Sequence, residues 1–167
     1  MICCFIDAAL ACVALTGSMY FLANKIACLK LGWNERPLDE ADFYRICRRF
    51  KVSVEEMPLR VSGFYYRVMG RDFIAISSRL SRTEKLVVMF HELGHYLLHT
   101  PDSGATANFH GVECRKTRKE IEADAFALCA ILPLDVIGSR TPTELIHDGF
   151  SEEIVAARLK LVERYGI

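Results

Sequence analysis

The sequence predicts an α+β domain: a small, mostly antiparallel sheet packed beside one metal-site helix and followed by a helical C-terminal part. Three observations predict it. Residues 63–77 alternate in period two about Gly70, as a β-hairpin does. Residues 83–100 join an apolar helical stripe to the pattern His91-Glu92-Leu93-Gly94-His95. From Thr117 onward the chain is a succession of capped helical patterns.

A chain of 167 residues has room for one domain with a real core. Its 21 basic and 21 acidic residues cancel, so no basic field argues for nucleic-acid binding and no acidic tail for disorder. The 7 cysteines are an odd number without a C-x-x-C pair, which fits a reduced intracellular protein better than a disulfide framework. Cys114 reads as a free thiol on a loop.

Residues 1–23 form an apolar extension. Their charge-free run, 8–24, falls short of the roughly 20 residues that a membrane helix needs. No Lys or Arg precedes it, so the charged start of a secretory signal is missing. A packed helix, a short tether and translated upstream sequence with a working start at Met19 are the three readings; a packed or dispensable helix is favoured over the tether. If the segment did insert, Lys25, Lys30 and Arg36 would hold their flank in the cytoplasm. Residues 24–167 then make a single domain.

Within that domain, 33–37 reads as a loop, and Asp39 caps a helix to about Phe50 with Phe43, Ile46, Cys47 and Phe50 on one face. Residues 51–57 are β-branched enough for a strand, which Pro58 closes. Strands at 63–69 and 73–77 follow, joined at Gly70-Arg71 with glycine first. Ser81 and Glu84 form a capping box before the stripe Leu86, Phe90, Leu93 and Leu97, and Pro101 stops this helix near Thr100. Gly94 costs that helix about 1 kcal/mol relative to alanine, so something must pack close there, the sheet or a substrate backbone. The loop 101–115, with His110, is a candidate lid. A second long helix spans 117–132 with Ile121, Ala125, Leu128 and Leu132 on its core stripe and Pro133 at its end. Thr141, Pro142 and Glu144 open a short helix; Ser151 and Gly166 bracket the last one.

The chemistry lies in the two long helices. An H-E-x-x-H pattern sets His91 and His95 one turn apart on one face, where both can hold one zinc ion. Glu92 flanks the ion and can take a proton from water. A catalytic zinc usually has three protein ligands, so one more is needed. His99 lies about 12 Å along the axis from His91, too far for a straight helix to bring both to one ion. It instead faces the helix C-terminus, where positive charge is favoured. Glu120 and Asp124 share a face of the second helix. Glu120 is the candidate third ligand, favoured from face geometry over Glu122, which is then assigned to a solvated face, and Asp124 is the acceptor for the other N–H of a ligating histidine. His110, Tyr65, Tyr66 and His147 are candidate oxyanion donors.

The run from His91 to His99, followed by Glu120-Ile121-Glu122-Ala123-Asp124-Ala125-Phe126-Ala127 and Ile131-Leu132-Pro133, resembles the ImmA/IrrE metallo-endopeptidases. The resemblance covers about residue 39 to the end. It implies a zincin-like, gluzincin-type domain over 24–167 with one Zn²⁺ held by His91, His95 and Glu120, and Glu92 as catalytic base. It further implies a cytoplasmic endopeptidase that cleaves a helix-turn-helix repressor or antitoxin encoded nearby, derepressing mobile-element or stress genes, without binding nucleic acid directly. A non-cleaving module that captures a regulator and a membrane-tethered protease are the competing readings.

Overall fold

A computed structural model of the chain describes residues 19–20, 22–99 and 117–167. Most of the apolar extension, the candidate lid, His110 and Cys114 lie outside the described residues. Residues 22–27 are helical, and Met19, Leu22 and Ile26 are buried in the main core. Lys25 Nζ donates to the Leu98 carbonyl at 3.0 Å. Among the described residues, no helix is long and apolar enough to cross a membrane.

Helix α1 (Glu40–Phe50) starts at Asp39, whose carboxylate accepts the Asp42 N–H while the Asp42 side chain bonds back to the Asp39 N–H. It buries Phe43, Ile46 and Cys47. Lys51 closes it in the left-handed conformation, φ 58°. A strand cannot begin at such a residue, so β1 (Ser53–Met57) opens two positions later than the composition suggests.

Strands β2 (Gly63–Val68) and β3 (Arg71–Ser77) complete a three-stranded sheet of order β1-β3-β2. β2 pairs antiparallel with β3 but β1 pairs parallel with it, so the sheet is mixed rather than mostly antiparallel. The hairpin turn is Met69-Gly70, one residue earlier than the sequence suggests, with Val68 opposite Arg71. Both turn residues have positive φ, 49° and 73°, as a type I′ turn requires. Tyr65, Ile74 and Ile76 face inward, while Phe64, Tyr66 and Phe73 share the other face, with Tyr66 stacked on Phe73 at 5.0 Å.

Helix α2 (Arg82–His99) lies between this sheet and α3 (Arg118–Ile131). The Ser81–Glu84 capping box opens it. Gly63 makes room for the helix: a Cβ there would lie 2.6 Å from Val88 Cγ1. Phe90 is fully buried edge-on against Phe43 at 5.9 Å. Nearly every residue of α3 from Ala123 on is buried, with Ala125 and Leu128 as expected. Ile121 is only half-buried, because the small residues Ala123, Ala127 and Ala130 carry the close packing. Trp33 covers the same helix, donating its indole N–H to the Phe126 carbonyl at 2.8 Å. Two short helices and a longer one follow: α4 (Leu134–Ser139), which has no side-chain cap to announce it, α5 (Pro142–His147) and α6 (Glu152–Tyr165).

Candidate metal centre

His91, Glu92 and His95 are all buried on α2. The i, i+4 spacing brings His91 Nε2 and His95 Nε2 to 3.1 Å from each other. Glu120, from the first turn of α3, straddles the pair: Oε2 is 3.4 Å from His91 Nε2 and Oε1 is 3.3 Å from His95 Nε2. What sets this reach is the contact of the two helices three residues further on. A Cβ at Gly94 would sit 3.2 Å from Ala123 Cα, so the backbones touch there. Glu120 and Asp124, three before and one after Ala123, flank the contact on the histidine side.

This donor set fits a divalent ion. Two atoms each about 2.1 Å from one tetrahedral zinc lie roughly 3.4 Å apart, and the separations here run from 3.1 to 3.4 Å. One ligand atom from each of His91, His95 and Glu120 can be chosen with all three within 4.8 Å of one another. Asp124 Oδ1 lies 2.9 Å from His91 Nδ1, on the far side of the ring. That bond holds a proton on His91 Nδ1 and turns Nε2 toward Glu120 and His95.

The charges are tightly coupled. Burial lowers the pKa of His91, but the Asp124 and Glu120 carboxylates outweigh it and raise the value to about 9. Burial and the positive charge of His91 push His95 down. Burial drives Glu92 up to about 7, against the pull of His91 and of the Tyr65 backbone N–H that its carboxylate accepts. Glu92 Oε1 is buried with no hydrogen-bond partner among the described residues. A buried carboxylate with one oxygen anchored and the other unpaired is costly unless a cation or reacting group completes it.

The profile of the Peptidase M78 family, the IrrE N-terminal-like domain, matches residues 47–166. The chain belongs to this family. It is also 32% identical over 88 residues to a protein of Bacillus phage phi105 named Uncharacterized immunity region protein 2. That alignment covers 53% of this chain and 55% of the phage protein, so the chain spans about half the length of that relative. No solved structure matches the chain.

Around this peptidase-family site the candidate oxyanion donors separate. The Tyr65 hydroxyl donates to Asp72 Oδ1 at 2.6 Å, while its backbone N–H serves Glu92. Tyr66 lies on the opposite face of the sheet, and His147 is exposed at the end of α5. His110 lies outside the described residues.

The assignment of Glu122 is overturned. Glu122 is not on a solvated face: its side chain is 14% exposed, and Oε2 lies 3.0 Å from His99 Nε2. The reason is the tightness of the α2–α3 contact, which carries both helix surfaces into the interface. His99 likewise turns toward His95, their Nδ1 atoms 3.3 Å apart, and not only toward the helix terminus. The signal for this was the repeated spacing of four in His91, His95 and His99. Gly94 also finds its partner in Ala123, not in the sheet or a substrate.

Proposed function

We propose that this chain is a zinc endopeptidase whose substrate is a helix-turn-helix repressor or antitoxin encoded nearby. The observation that carries the reading is the convergence of His91, His95 and Glu120 beside the half-anchored carboxylate of Glu92. In this reading His91, His95 and Glu120 hold the ion and Asp124 orients His91. Once bound, zinc supplies Lewis acidity, bringing the pKa of water toward neutrality and polarising a peptide carbonyl. Glu92 takes the proton of the attacking water and delivers it to the leaving amine. Its anchored oxygen fixes the carboxylate, and its unpaired Oε1 carries the proton.

The substrate chain would add to the sheet. β2 is an edge strand among the described residues, and its Tyr65 N–H already points to Glu92, so that edge borders the site. The peptidase family and the immunity-region name of the phage relative support a regulator as substrate. The free thiols of Cys28, Cys47 and Cys129 support a cytoplasmic setting.

The test is to mix the chain with the repressor encoded beside it, with and without zinc. Metal-dependent fragments are expected, and Glu92→Gln should retain zinc and lose cleavage. Full activity in that variant would remove Glu92 from its role, and an intact partner in a stable complex would favour capture without cleavage.

A further inference from the structure

The two histidines of the centre are supported unequally. Behind His91 stands a carboxylate, Asp124, at 2.9 Å. Behind His95 stands another imidazole: His99 Nδ1 lies 3.3 Å from His95 Nδ1, the rings tilted by 51°. The far nitrogen of His99, Nε2, is 3.0 Å from Glu122 Oε2. Glu122 Oε1 accepts from Arg118 Nε at 2.8 Å, which places a cation at the end of the line. His99 and Glu122 side chains are 11% and 14% exposed, so these bonds form largely away from water.

From this chain of contacts we propose that His99 and Glu122 are positioning residues for His95, a relay that fixes which ring nitrogen of His95 faces the metal site. The proposal rests on the metal-binding reading of the centre. Its logic is hydrogen-bond polarity. A neutral imidazole has one N–H and one lone pair. A His95 that offers its Nε2 lone pair to an ion carries its proton on Nδ1, and that N–H needs an acceptor. His99 Nδ1 accepts only if the His99 proton is on Nε2, where it donates to Glu122. The opposite polarity would set a bare His99 Nε2 against a carboxylate oxygen at 3.0 Å. It would also leave the His95 proton on Nε2, aimed at Glu120 and His91. Glu122 therefore selects the His99 tautomer, and His99 selects that of His95. Removing such outer partners of a ligand histidine typically weakens metal binding by about 10–100-fold.

Zinc affinity of the full chain, measured by competition with a chelator, tests the relay. His99→Phe keeps the ring volume and removes both nitrogens; it should weaken binding at least tenfold, as should Glu122→Leu. The double variant should be no weaker than either single one, because each breaks the same line. His99→Asn sets an amide oxygen near the position of His99 Nδ1, so it should restore affinity to within about threefold of wild type. In that background Glu122→Leu should have no further effect. Thermal unfolding of each metal-free variant separates lost fold from lost affinity. Ring ¹⁵N shifts of the zinc-loaded wild type should show His95 protonated at Nδ1 and His99 at Nε2. Wild-type affinity in His99→Phe, or a His99 proton on Nδ1, overturns the relay alone. A wild-type chain that binds no zinc overturns the metal reading and the relay with it.

Discussion

Gly94 and Ala123 meet at the crossing of α2 and α3, where a Cβ added to Gly94 would lie 3.2 Å from Ala123 Cα and 3.1 Å from Phe126 Cδ1. The candidate centre depends on this approach, since Glu120 reaches across from the turn just before it. Gly94→Ala sets two effects against each other. Alanine raises helix propensity by about 1 kcal/mol, while forcing a methyl into a packed interface costs about 1–3 kcal/mol. Two of the three close neighbours are backbone atoms of Ala123, which yield only by moving the helix, so the second effect wins. The variant should unfold at lower denaturant concentration than wild type and bind zinc more weakly. A more stable protein with unchanged zinc affinity would show that the crossing does not set the site.

Glu120 and Asp124 stand one turn apart on α3 yet should behave differently on removal. Glu120 faces both Nε2 atoms, so Glu120→Ala should abolish stoichiometric zinc binding at micromolar metal. Asp124 lies against the far side of the His91 ring, so Asp124→Ala should still bind zinc, about 10–100-fold more weakly. Metal analysis of the two purified variants after dialysis, followed by chelator competition, checks the order. Equal affinities would mean that Glu120 is not a ligand.

Much of this was legible in the sequence because it follows local rules. Asp39, Ser81, Thr141 and Ser151 cap helices where their side chains satisfy the first N–H groups, and Gly166 ends the last helix in the left-handed conformation. The sequence placed His91, His95, Glu120 and Asp124 as the residues to watch, and the fold brings all four together. What was not legible depends on tertiary contact. The turn fell on Met69-Gly70 because the strand register demanded it, although methionine is a poor residue for positive φ. The parallel pairing of β1 comes from a connection whose path no local pattern announces. Ala125, Leu128 and Leu132 are buried as their stripe predicts, but Ala123, Ala127 and Ala130 lack the bulk that marks a core face, so the width of the buried surface of α3 is not legible, and with it the burial of Glu122.

Asp42 should give the chain a distinct acid sensitivity. Its carboxylate accepts from Arg36 at 2.6 and 2.8 Å and from Arg45 at 2.5 Å. The Arg36 hydrogen bonds hold its pKa well below the usual carboxylate range, outweighing burial, with help from Arg45 and the Asp39 N–H. A lowered folded-state pKa means stability that is present above the unfolded value near 4 and is lost as pH falls through the folded value. Both arginine side chains are 52% exposed, so the effect is about 1 kcal/mol. Asp42→Asn should be less stable than wild type by about that amount from pH 5 to 8, and the gap should begin to narrow below about pH 4 and go on narrowing as pH falls toward the folded-state value. Urea titrations at several pH values measure it; a gap that does not narrow at all below about pH 4 would assign the effect to packing.

Arg158 is the largest fully buried side chain among the described residues, and its guanidinium bonds to oxygens from three separate parts of the chain. Nε donates to the Leu132 carbonyl at 2.6 Å, Nη2 to Asn34 Oδ1 at 2.9 Å, and Nη1 to the main-chain oxygen of Ile167. No side-chain carboxylate is among these acceptors, and burial lowers the pKa of the group. The bond to Leu132 holds α6 against the end of α3, and the bond to Asn34 holds it to the loop that carries Trp33 over Phe126. A lysine has one compact charge and cannot face three divergent acceptors. Arg158→Lys should therefore destabilise by about 2 kcal/mol, chiefly by leaving the buried Leu132 carbonyl poorly paired. Arg158→Met keeps the stem only as far as Nε and removes the guanidinium with its charge; it avoids burying an ion but takes the donors away from all three oxygens. If hydrogen bonding is what matters, methionine should be at least as damaging as lysine in a denaturant midpoint comparison. A methionine variant as stable as wild type would mean that the three hydrogen bonds of this buried arginine add nothing net to stability.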